Sequence, residues 1–178
     1  VVDPLDGSMN YLRGAGPSAI SVALVKGLTT PLFGVVFSLG RGTLSWGGAD
    51  VGAFLDHSPI HVSEARRVAG SIVCGGFPAR FRTGDASVLN QYCGMIGQFS
   101  KVRMMGSATC SLLMVAEGRV DAYIEEEIML WDVAAGLAIV EGAGGTWSLT
   151  PRSGSPYQCR VTAAAASLWE DIQRNGIA

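Results

Sequence analysis

The sequence predicts an α+β meander that continues into an α/β lobe, the whole built in layers. Three observations carry this. Residues 19–46 hold short runs rich in β-branched residues, bounded by turn residues. From Glu64 onward, strand-like runs alternate with segments of helical spacing. The chain has 178 residues, 48% apolar and 16% charged, which is enough for one sizeable core or two small lobes and too apolar for disorder.

The chain opens on VVDPLDGSMN, read as a strand end running into a tight turn. Pro4 fixes φ at the second turn position, Gly7 tolerates a conformation that a β-carbon resists, and GSMNYL begins a short helix. AISVALV (19–25) and LFGVVFS (32–38) are strands joined through KGLTTP, and TLSW (43–46) follows the turn at Gly40 to Gly42 as a third. Such short connections make the meander antiparallel. GSIVCGG is then a strand, and residues 85–99 a helix with Val88, Tyr92, Met95 and Ile96 on one face. A strand at KVRM, a helix over 107–117, a strand at RVDAYIE and a helix over 132–141 follow. Strands at TWSL and RVTAAA and a helix over 167–175 close the chain. The boundary falls between 63 and 69, giving units 1–65 and 66–178.

The formal net charge is −2, without a long basic run, which argues against a nucleic-acid polymer as partner. No apolar run is long enough to span a bilayer, so no membrane partner is expected. Cys74, Cys93, Cys110 and Cys159 are scattered in apolar surroundings without a CxxC pair, and read as buried free thiols in a reducing cytoplasm. The first residue is Val1, so the absence of a visible signal peptide carries no weight.

Two stretches carry chemistry. Across the opening turn Asp3 and Asp6 point toward one another, and two such carboxylates repel unless a proton or cation lies between them. A hard divalent ion suits oxygen ligands, and the Leu5 carbonyl could supply a third. Gly7 and Ser8 would offer N–H groups to a phosphate. An ordinary turn with capping aspartates explains the same residues. WDVAAGLAIVEGAGG contributes Asp132, placed at the N-cap of a helix whose Val133, Leu137 and Val140 face the core. Plain capping and metal ligation are compatible there. Ala134, Ala135 and Gly136 remove bulk, allowing close approach of a neighbouring element or a ligand.

Together, VDPLDGSMNY and WDVAAGLAIVEGAGG, with GSATCSLLMVAEGRVDAYIE between them, resemble the inositol monophosphatase family of magnesium-dependent, lithium-sensitive phosphatases. The similarity runs from Val2 to the last helix. It implies a layered sandwich of helices and sheets, shared with fructose-1,6-bisphosphatase and the bisphosphate nucleotidases. By motif, Asp3, the Leu5 carbonyl, Asp6 and Asp132 would ligate Mg2+, two or three ions in a complete parent. Gly7 and Ser8 would grip phosphate, and Ser8 stands where the family usually has Thr, keeping the hydroxyl that helps activate water. Gly106, Ser107 and Ala108 would line the substrate side, Glu125 would accept substrate hydroxyls, and Arg103 lies nearby. The implied reaction is hydrolysis of a small phosphate monoester of a polyol or sugar by metal-activated water, without a phospho-enzyme. The family's upstream glutamate-rich motif is not in this chain, so it is read as an N-terminally truncated fragment lacking helices that cover one side of a sheet, with reduced activity. A homodimer in the cytoplasm is expected by resemblance.

Other residues take blander readings. His57 and His61 flank Pro59 and read as loop histidines rather than a zinc pair. Glu126 and Glu127 read as a solvated surface, and Met104 and Met105 as core packing. Gly142, Gly144 and Gly145 read as a helix stop and turn. Histidinol phosphate, a nucleotide or fructose bisphosphate, or a non-catalytic role remain alternatives. The acidic run after Tyr123 argues against a second phosphate.

Overall fold

The computed structural model describes residues 1–77, 86–152 and 155–178. Six strands follow one another as an antiparallel meander in chain order: β1 (Val2–Asp6), β2 (Ala19–Lys26), β3 (Thr30–Ser38), β4 (Thr43–Gly48), β5 (Gly52–Leu55) and β6 (Ser58–Pro59). A one-and-a-half-turn helix, α1 (Ser8–Arg13), interrupts them. The predicted meander is present, with three further strands. β1 carries the expected strand end on through the residues of the expected turn, and β5 and β6 are too short to show period-two alternation.

A second, five-stranded sheet has the order β10 (Gly145–Pro151), β11 (Gln158–Ala165), β9 (Ala122–Met129), β7 (Ile72–Gly75), β8 (Lys101–Arg103). β7 pairs parallel with β8 and β9; the other pairings are antiparallel. The helices are α2 (Ala86–Ile96), α3 (Ala108–Ala116), α4 (Leu130–Gly142) and α5 (Trp169–Arg174). The expected helix start at Asp85 lies outside the described residues.

α3 and α4 lie between the two sheets, and one apolar cluster runs from Ala19, Val36 and Ala53 through Leu112, Leu137 and Val140 to Val161 and Ala163. The far face of the second sheet is covered by a smaller cluster in which Val73, Ile124 and Ala164 meet Leu168, Ile172 and Ile177. This is the layered sandwich. α4 is buried on nearly every side, from Leu130 and Val133 to Val140, as suits a helix enclosed by protein. Its small residues allow close approach on two sides. A Cβ on Gly34 of β3 would lie 2.2 Å from the Ala135 carbonyl oxygen, and one on Gly136 would lie 2.6 Å from the Leu112 side chain. So the Ala134–Gly136 stretch admits neighbouring elements.

The first sheet inverts the usual alternation. Its covered face carries small residues, Ala19, Ser21 and Ala23 on β2, while Ile20, Val22 and Leu24 are exposed, as are Val2, Phe37 and Leu44 on neighbouring strands. The small face lets α4 sit close to β2, the neighbour of the edge strand that carries the first two aspartates.

Several expectations are corrected. Val88 is exposed, because α2 rests on its neighbours mainly through Tyr92 and Met95. Cys93, on the same helix, is also exposed; Cys74, Cys110 and Cys159 are buried. Burial pushes the thiols of Cys74 and Cys159 up to about 11 and about 12. Met104 is exposed and only Met105 packs on the core, since neighbouring residues of an extended segment point opposite ways. Glu126 is not simply solvated: Arg152 and Arg160 both pair with it. Gly142 ends α4 and Gly144 takes a positive φ of 87°, but Gly145 already belongs to β10. Among the described residues no helix is long and apolar enough to cross a membrane.

Candidate metal centre and substrate cavity

Asp3 and Asp6 are three apart on a strand, which ordinarily puts them on opposite faces. The register shows how they come together. Asp3 pairs with Ser21 and Asp6 with Ala19, so β1 carries one residue more than β2 between the two pairs. This β-bulge holds Pro4 and Leu5 on the edge strand of the sheet, where a residue without an N–H is tolerated. The extra residue resets the alternation, and both aspartates share the inner face with Ser21 and Ala19. The bulge is closed by the Leu5 N–H, which donates to Asp3 Oδ1 at 3.0 Å. Asp3 thus caps the backbone in a local Asx turn, as the ordinary-turn reading has it, beside the φ that Pro4 fixes.

Asp6 is fixed from across the molecule. Its Oδ2 accepts from Ser107 Oγ at 2.6 Å and from the Thr109 N–H at 2.8 Å, at the start of α3. Ser107 also caps that helix, accepting from the Cys110 N–H at 3.1 Å. Gly7 then turns the chain at φ 74°; a Cβ there would lie 2.7 Å from the Pro17 carbonyl oxygen and 3.2 Å from Ser107 Cβ. Ser8, exposed, starts α1. Asn10 on α1 donates to the carbonyls of Pro17 at 2.9 Å and Met105 at 2.8 Å, tying this helix to the loop before Gly106.

Asp132 is not the N-cap. That position is Met129, and Asp132 is the third residue of α4, inside its first turn. A carboxylate there still lies at the positive end of the helix, and is free to point at its neighbours. The segment is held by Thr109 Oγ1, which donates to the Asp132 carbonyl at 2.8 Å, and by Ser21 Oγ, 3.5 Å from the Trp131 carbonyl.

Asp3, Asp6 and Asp132 converge: one carboxylate oxygen from each lies within 4.8 Å of the others. Burial first, then the charge of Asp6 and contact with Asp3, push the Asp132 carboxyl up to about 7. Burial also raises Asp6, against the hydrogen bonds of Ser107 and Thr109, which lower it. Acidic groups packed this closely carry a repulsion that a cation would remove. The donor set, carboxylate oxygen alone, fits a hard divalent ion such as Mg2+.

Beside the cluster is a cavity of about 280 Å³, reached by Asp6 on one side and Glu125 on the other. Gly106, Ser107 and Ala108 line it, as do Gly76, Phe77 and Tyr123. Glu125 is anchored by the buried Tyr123, whose hydroxyl donates to Oε2 at 2.6 Å. Burial raises the Glu125 carboxyl above its ordinary range, and raises Tyr123 well above its own. Gly76 makes the room: a Cβ there would lie 2.2 Å from Glu125 Oε1. Arg103 stands apart. It lies on β8, donates to the Val102 carbonyl at 3.0 Å, and is not among the described residues lining the cavity.

The sequence matches the inositol monophosphatase family over residues 1–176. This chain belongs to the inositol monophosphatase family. Among its relatives, a fructose-1,6-bisphosphatase/inositol-1-monophosphatase of Aquifex aeolicus is 36% identical over 156 residues, 88% of this chain and 58% of that protein. A Nus factor SuhB of Xylella fastidiosa is 39% identical over 145 residues, 82% of this chain and 52% of that protein. The chain thus spans between half and two thirds of these curated relatives. The solved inositol monophosphatase of Anabaena (Nostoc) sp. PCC 7120 superposes with a TM-score of 0.85 at 32% identity, covering 99% of this chain and 72% of that one. The family's layered sandwich is the fold described above.

Asn10, Ser21, Gly76, Thr109 and Tyr123 were not singled out by sequence reasoning. Tyr123 does leave a signal, since it lies two residues before Glu125 on the same strand and residues two apart share a face. Consecutive glycines at a strand end, Gly75 and Gly76, also mark close approach. Asn10, Ser21 and Thr109 act through contacts distant in sequence and leave no local signal.

Proposed function

We propose that this chain carries the acidic metal centre and the alcohol-binding cavity of a Mg2+-dependent hydrolase of small phosphate monoesters, of a polyol or sugar. The convergence of three carboxylates from two distant segments, next to a cavity that shares Asp6, is the observation that supports it. Asp3, Asp6 and Asp132 would hold Mg2+, with the Leu5 carbonyl beside them on the bulge. Bound Mg2+ supplies charge neutralisation at the phosphate and an activated water. The chain's own residues do the rest. Gly7 and Ser8 offer N–H groups to the phosphate. The 106–108 loop shapes the wall, and Glu125, held by Tyr123, accepts a hydroxyl of the alcohol.

The cavity's character favours a neutral or amine-bearing alcohol over a second phosphate. Its described lining has two carboxylates, Asp6 and Glu125, and no lysine, arginine or histidine. The names of the relatives divide between phosphatases and a Nus factor, so the site has to decide. The test is inorganic phosphate release by the complete protein from inositol phosphate, histidinol phosphate, fructose 1,6-bisphosphate and a bisphosphate nucleotide, with Mg2+ and with chelator. Release from a monoester that chelator or Asp132→Asn abolishes is expected. Equal release in chelator overturns the metal reading, and no release from any ester favours a non-catalytic role.

A further inference from the structure

We propose that Thr109 is a positioning residue that ties the two acidic segments together and so sets the spacing a divalent cation meets. This rests on the metal reading above. Thr109 is the second residue of α3 and is completely buried. Its N–H donates to Asp6 Oδ2 at 2.8 Å, and its Oγ1 donates to the Asp132 carbonyl at 2.8 Å. One residue thereby touches both the edge strand of the first sheet and the first turn of α4. The neighbouring contacts are more limited. Ser107 reaches Asp6, and the bond from Ser21 to the Trp131 carbonyl is long, at 3.5 Å.

The two bonds of Thr109 are chemically separable. The first belongs to the backbone and survives any substitution except proline. The second needs the hydroxyl proton, of which threonine has one. The Asp132 carbonyl sits in the first turn of α4, where it already faces an N–H one turn on, so the threonine bond is an addition that the helix does not need. Its effect is instead on position. It holds the first turn of α4 against α3, and the same α3 residue holds Asp6, so the two carboxylates are kept close despite their repulsion. Groups that fix metal ligands in this way typically contribute ten- to a hundredfold in metal affinity.

The test uses Mn2+ alone, titrated into the full chain, with free Mn2+ followed by its paramagnetic resonance signal. Wild type should bind saturably and Asp132→Asn should not. Thr109→Val, which keeps the shape and loses the proton, should bind about tenfold more weakly, and Thr109→Ser should recover to within about twofold of wild type. Thermal melts of each variant accompany the titrations. Recovery in Thr109→Ser despite its lost methyl separates positioning from general stability. Affinity in Thr109→Val equal to wild type, or affinity in Thr109→Ser as weak as in Thr109→Val, overturns the proposal. Should Thr109→Val fail to fold, Thr109→Ala against Thr109→Ser makes the same comparison. Absence of saturable binding in wild type overturns the metal reading itself, and is told apart because it appears before any variant is made.

Discussion

Replacing Asp132 by Asn should stabilise the metal-free chain while removing its capacity for a divalent ion. The Asp132 carboxyl is pushed from an ordinary 3.8 up to about 7, by burial first and then by Asp6 and Asp3. Its folded value lies above its unfolded one, so between those values the folded chain holds a proton that the unfolded chain has released. Stability is therefore full below pH 3.8 and is lost as the pH climbs through about 7. A rise of that size corresponds to about 4 kcal/mol if the group felt no water. Asp132 is partly open to solvent, and screening reduces this to on the order of 2 kcal/mol. For a chain of this length that is about 4–8 °C in Tm. Asparagine has nearly the same shape and no charge, so the variant escapes the loss. Thermal and urea melts at pH 5 and pH 8 in chelator measure it. Wild type should be weaker at pH 8, and the variant should exceed it there by roughly 2 kcal/mol. Mg2+ at about a hundred times its Kd should then add about 2.7 kcal/mol to wild type and little to the variant. A variant less stable than wild type at pH 8 in chelator would refute the reasoning, because the three carboxylates would then not be repelling one another.

Other consequences can be measured in the same way. Gly34→Ala should destabilise by about 3 kcal/mol in urea melts, because its Cβ would meet backbone of α4, the Ala135 carbonyl oxygen at 2.2 Å. Gly76→Ala should raise KM and cost about 1–3 kcal/mol in urea melts, because its Cβ would displace the Glu125 carboxylate and leave the buried Tyr123 hydroxyl without its acceptor; an unchanged KM would remove Glu125 from the substrate side. Ser107→Ala should cost about 1–2 kcal/mol, losing a helix cap and a hydrogen bond to a carboxylate together, and should weaken Mn2+ binding in titrations.

The legible parts of the molecule were those with a local signal. β2, β3 and β9 follow from short runs rich in β-branched and aromatic residues, α3 and α4 from apolar runs too long for a strand, and the aspartates from two motifs whose residue types suit one ion. Connections that depend on distant partners were not legible. The bulge at Pro4 and Leu5 is defined only by its register against β2. Asp132 looked like a cap because caps and first-turn positions both favour acidic residues, and the true cap, Met129, has no capping side chain. The exposure of Val88 and Met104 could not be read because an apolar residue says nothing about whether a neighbour is present to cover it. Arg103 is near in sequence to the 106–108 loop, yet it lies on β8 and turns to its own backbone neighbour.

The single surplus residue in β1 makes the outermost strand of the first sheet a counting device. Pairing the same four residues with β2 without the surplus position would restore ordinary alternation along Asp3 to Asp6 and swing one of the two carboxyl groups to the opposite side. Only the bulged pairing presents both, so an ion gripping them would also fasten residues 1–6 against β2, and ligand loading and the closing of that strand would become one event.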